Sequence, residues 1–169
     1  MWRLLIFVIA CGGPSAPLEN TGPQPPTVIT KRVVTARTAL PKAIQPLLPA
    51  HGIYVAGGGL MSSAWRVVID ADANTIAVGT NAKPGSSSVA MQNEQRKDLS
   101  PRNETLLMRL AEDAWREPPP KAASDPTADY DEILVVLDGD DAFFLEGFGP
   151  IRRPLAAKAI IEIRAAAGL

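Results

Sequence analysis

The sequence predicts an α+β domain: an antiparallel sheet of four to five strands, built from two hairpins, with two helices covering one face. Three observations carry this. β-branched apolar runs lie next to one another, separated by clusters of Asp, Asn and Gly. Two segments have apolar residues at helical spacing, each with a proline near its start and a breaker after its end. The order ββ-α-ββ-α lets both helices return to the same side of the sheet.

The first strand is Gly52–Ala56, ending in Gly57-Gly58-Gly59, which suit a bulge or a wide turn. Trp65–Ile69 and Thr75–Val78 form the first hairpin around Asp70-Ala71-Asp72-Ala73-Asn74. Residues 79–98 are polar and read as a long loop. A helix follows from Pro101 to Trp115, with Ser100 as N-cap and Pro118-Pro119-Pro120 as its stop. Its apolar face is Leu107, Leu110, Ala111 and Ala114, at i, i+3, i+4 and i+7. Ile133–Leu137 and Ala142–Leu145 form the second hairpin, with Asp138-Gly139 at the turn. The last helix starts near Pro154, buries Leu155, Ala159, Ile160 and Ile163, and stops at Gly168.

Before this body, expected over residues 51–169, the chain changes character. Residues 11–50 read as a tether rich in Pro, Gly and small polar residues, beginning Gly12-Gly13-Pro14. Within it, 27–50 could supply an edge strand or a collar: Val28–Thr30 and Arg32–Thr35 are β-branched, but Pro41, Pro46 and Pro49 interrupt the stretch after Thr35. A wholly flexible 12–50 would reach about 35 Å.

Residues 1–10 have the order of a secretory signal: Arg3, the apolar run Leu4–Ile9, then small Ala10. The ending Val8-Ile9-Ala10-Cys11 resembles the lipobox of bacterial lipoproteins. The resemblance implies that Cys11 is acylated and heads the mature chain, and that the protein is anchored in the cell envelope, in the outer membrane on its periplasmic face or surface. Two or more acyl chains hold a protein on a membrane stably, whereas a single one does so only weakly. With Cys11 the sole cysteine, no disulfide is available.

The charge balance, 17 Lys and Arg against 18 Asp and Glu, argues against nucleic acid as a partner. No apolar run reaches the ~20 residues of a membrane-spanning helix. His51 is the only histidine, too few for a zinc site, and no Gly-x-Ser-x-Gly surrounds a serine. No catalytic residue, metal or cofactor is therefore expected, and the domain reads as non-catalytic, with a protein or envelope component as partner.

Four features are candidate sites. Gly57, Gly58 and Gly59 leave backbone open to close approach, with Leu60 and Met61 beside them as apolar anchors for a partner. Arg152 and Arg153 stand at the N-terminus of the last helix, where free N–H groups and guanidiniums could hold an anion; pairing with Asp138–Asp141 or Glu146 is the plainer alternative. Asp138, Asp140 and Asp141 concentrate charge at a hairpin tip where calcium could bind, although Asp is also a standard turn residue. Asp70, Asp72 and Asn74 match positions 1, 3 and 5 of a calcium loop, but Thr75 and Asn81 replace its Gly and Glu.

The glycine-paired strand, charged hairpin, leucine-rich helix and closing hairpin, over residues 52–148, are similar in order to emfourin-type protease inhibitors. That resemblance implies an inhibitory loop, at 57–63 or 79–98, and leaves a lipid-anchored inhibitor as the second reading and an enzyme as the third.

Overall fold

In a computed structural model of the chain, residues 34–59, 63–84, 91–118, 130–148 and 150–169 are described. Seven strands form one antiparallel sheet: β1 (Thr35–Ala36), β2 (His51–Gly59), β3 (Ser63–Asp70), β4 (Thr75–Pro84), β5 (Asn93–Asp98), β6 (Tyr130–Asp138) and β7 (Asp141–Phe148). Their order across the sheet is β1-β7-β6-β2-β3-β4-β5. The helices are α1 (Pro101–Arg116) and α2 (Pro154–Ala167), side by side on one face. The expectation of four to five strands is therefore corrected to seven. The extra members are the two edge strands: β1, which lies in the stretch 27–50 where an edge strand or collar is one reading, and β5, which lacks the alternating apolar pattern of a half-buried strand.

The polar stretch 79–98 is not one loop. β4 continues to Pro84, and β5 pairs with it from Thr75↔Asp98 to Thr80↔Asn93. Every residue of β5 is exposed, and its charges protect an edge that could otherwise pair with another chain. Nor do Gly57–Gly59 form a bulge or turn. They continue β2 and pair with Glu132, Asp131 and Tyr130 of β6.

Local chemistry sets the turns and caps. Asp70 Oδ1 accepts from the Ala73 N–H (3.0 Å), and Asn74 takes the left-handed conformation at φ 52°. Gly139 opens the β6–β7 turn at φ 63°, the positive φ that a two-residue hairpin loop requires. Ser100 Oγ accepts from the Asn103 N–H at the start of α1, and Gly168 ends α2 at φ 83°.

Strand alternation divides the core. Ile53, Val55, Val67, Ile69, Leu134, Val136 and Phe143 face the helices, where Leu107, Ala111, Trp115, Ala159, Ile160 and Ile163 meet them. Trp115 stacks on Phe143 with ring centroids 6.0 Å apart. Leu155, expected in this core, is 42% exposed, because it starts α2 on the outward side.

The opposite face is covered as well. Leu40, Ile44 and Leu48 pack over Tyr54, Ala56, Val135 and Leu137. Arg37 closes this collar, donating from Nη1 to the Pro49 carbonyl and from Nη2 to the Leu48 carbonyl, both at 2.7 Å. Each of the three apolar side chains contributes about 1.5–3 kcal/mol by leaving water. Residues 34–50, grouped in sequence with the tether, are thus packed on the sheet.

Candidate functional site

The alternation of β2 places Ile53, Val55 and Gly57 on the helix side. Gly57 lies opposite Trp65 of β3 and opposite Glu132 of β6. Adjacent strands lie about 4.8 Å apart, so Trp65 and Glu132 stand about 10 Å apart with only a glycine between them. Sharing a cleft with Trp65 and Glu132 is one stripe of α2: Ala157, Ile160, Ile161 and Arg164, at i, i+3, i+4 and i+7. Together with Ser63, Pro150 and Ile151 these residues line a cleft of about 580 Å³.

The cleft has a charged and an apolar wall. The Arg164 guanidinium carbon sits 4.6 Å from the centroid of the Trp65 ring, a cation–π stack. Arg164 Nε is buried and has no hydrogen-bond acceptor. Glu132, 6% exposed, accepts from the Ile151 N–H at 2.8 Å, which ties the segment before α2 to the sheet. Ile161 is 64% exposed.

Of the sequence candidates, Gly57 pairs with Trp65 and Glu132, two residues that line this cleft, and Gly58 and Gly59 continue the same strand. Leu60 and Met61 lie outside the described residues, as does Cys11. The inhibitory-loop expectation at 57–63 and 79–98 is corrected where these stretches are strand, at Gly57–Gly59, 79–84 and 93–98.

At Arg153 the arrangement differs from either expectation. Arg152 is exposed. Arg153 is buried, stacks on Phe143 at 5.3 Å, and pairs with neither the Asp138–Asp141 turn nor Glu146. Its partner is Glu117, at the end of α1: Nη2 donates to the Glu117 carbonyl, and Nε lies 3.6 Å from Oε2. That separation is an ion pair, too long for a hydrogen bond. The Glu117 carboxylate also accepts from the N–H groups of Leu155 (3.2 Å) and Ala156 (3.3 Å). An acidic side chain of the protein thus occupies the anion position at the α2 N-terminus.

The aspartate candidates remain turn residues. Asp138 and Asp141 are paired across the β6–β7 hairpin, and among the described residues no three His, Cys, Asp or Glu side chains are grouped to hold a metal. Asp70 and Asn74 shape their own turn rather than a calcium loop.

His51 begins β2 beside that turn, and its Nδ1 lies 2.9 Å from Asp72 Oδ2. Hydrogen bonding and charge attraction by Asp72, with a smaller contribution from Asp138, raise the imidazole pKa above its ordinary 6.5. A raised folded-state pKa gives stability that is fully present below pH 6.5 and fades as pH rises through the folded value. Both side chains are about half exposed, so the effect on stability is small and salt-sensitive. An NMR titration should find His51 above 6.5 in wild type and lower in Asp72→Asn; equal values in both would refute the pairing.

Tyr54 carries a buried polar group on the opposite face of the sheet. Its phenol lies under the collar without a hydrogen-bond partner, and burial pushes its pKa up to about 12.

No protein-family model matches this chain, and no curated protein matches it. Among the described residues, no helix is long and apolar enough to cross a membrane.

Proposed function

We propose that this chain is a lipid-anchored, non-catalytic binding protein of the bacterial cell envelope. Its anchor is acylated Cys11, and its binding surface is the cleft between α2 and the glycine end of the sheet. The anchor rests on the lipobox-like Val8-Ile9-Ala10-Cys11 and the Gly/Pro-rich residues after it. The observation that carries the binding reading is the cleft itself, where an exposed isoleucine adjoins a stacked arginine with an unmet donor. Concave sites with apolar walls and a few convergent polar groups are the usual form of a ligand site.

A photo-crosslinking residue at Ile161 in the membrane-bound protein tests this reading. Leu106, 52% exposed on α1, gives the control position. A discrete adduct from position 161, absent from position 106, is expected. Identical adduct patterns at the two positions, or none at either, would contradict a binding role for the cleft.

A further inference from the structure

We propose that the cleft binds a small amphipathic carboxylate, its anionic end on Arg164 and its apolar body against Ile151, Ile160 and Ile161. This deepens the binding reading above and rests on it.

The anionic end follows from the state of Arg164. Stacking on Trp65 occupies one face of the guanidinium, so its N–H donors point in the plane away from the ring. Nε, one of those donors, is buried with no acceptor, and among the described residues no carboxylate pairs with this side chain. Arg66 and Arg153, by contrast, have Glu94 and Glu117. Arg164 lines the cleft, and a carboxylate seated there would meet its guanidinium through charge-assisted hydrogen bonds. The Trp65 ring fixes the guanidinium in advance, so little freedom is lost on binding.

Charge in the cleft selects a monoanion. Arg164 is the one cation among the described lining residues, and Glu132 lines the same cleft. One guanidinium matches one carboxylate in a planar, bidentate pair. The apolar body follows from the rest of the stripe: Ile160 and Ile161 lie one turn before Arg164 on α2, Ile151 lines the cleft with them, and Ile161 is 64% exposed. The cleft volume of about 580 Å³ lies within the ordinary range for small-molecule sites.

Hexanoate is the probe. It is titrated against the full acylated chain in zwitterionic nanodiscs, with the Trp65 indole and Ile161 methyl NMR signals as readout. Saturable shifts are expected with hexanoate, weaker binding with hexyl phosphate, and none with hexylamine. Arg164→Gln should weaken hexanoate binding about tenfold or more. Should that variant fold poorly, Ile161→Asp, which adds a negative charge at an exposed position, should weaken it likewise. Absence of saturable hexanoate shifts, tighter binding of hexylamine, or equal affinity in wild type and a folded Arg164→Gln would overturn the proposal. If position 161 still crosslinks a partner in that event, the ligand class alone falls; if it does not, the binding reading falls with it.

Discussion

Replacing Glu117 by alanine should destabilise the fold by about 3–5 kcal/mol, the range for stripping a buried charge of its partner. The side chains of Arg153 and Glu117 are only 8% and 11% exposed, so water cannot substitute for the lost carboxylate. The same change frees the Leu155 and Ala156 N–H groups at the start of α2, where Arg153, as N-cap, supplies no side-chain acceptor. Glu117→Gln keeps an acceptor for those groups while removing the charge, so its cost should be intermediate. Glu112 serves as the control: its pair with Arg116 is an exposed i,i+4 contact, and Glu112→Ala should cost less than about 1 kcal/mol. Urea unfolding of the four proteins measures these differences. Equal midpoints for Glu117→Ala and Glu112→Ala would show that the α1–α2 junction does not depend on this pair.

That junction also shows where sequence reasoning stops. The helices are legible because their signals are local: Ser100 with Pro101 opens α1, and Gly168 ends α2. The turns at Asp70–Asn74 and Gly139 are legible for the same reason. The two guanidiniums before α2 draw notice in the sequence, but their partner does not. Glu117 precedes Arg153 by 36 residues and meets it only because α1 and α2 lie side by side.

Strands are visible only where burial imposes a period of two. β5, Asn93-Glu94-Gln95-Arg96-Lys97-Asp98, buries neither face and is held by its ladder to β4, so nothing in its composition marks it as a strand. Gly57–Gly59 mislead in the opposite direction. Glycine is depleted in strands, yet here Gly57–Gly59 pair along β6, and Gly57 lies between Trp65 and Glu132. The collar carries a faint signal, Leu40, Ile44 and Leu48 at spacings of four, obscured by Pro41, Pro46 and Pro49. The cleft is the least legible feature. Ser63, Trp65, Glu132 and Arg164 are spread over 102 positions, and only Arg164, a charge on the otherwise apolar stripe of α2, could have been singled out.

The proposed lipid attachment at Cys11 is tested most directly by metabolic labelling with an alkyne fatty acid in wild type and Cys11→Ser. Acylation of this class joins lipid to a cysteine sulfur, and a serine hydroxyl does not substitute in that thioether chemistry. Wild type should carry the label, fractionate with membranes and lack residues 1–10. Cys11→Ser should lose the label completely and accumulate as the uncleaved precursor. A wild-type protein that takes up no label and fractionates with the cytosol would contradict the anchored reading.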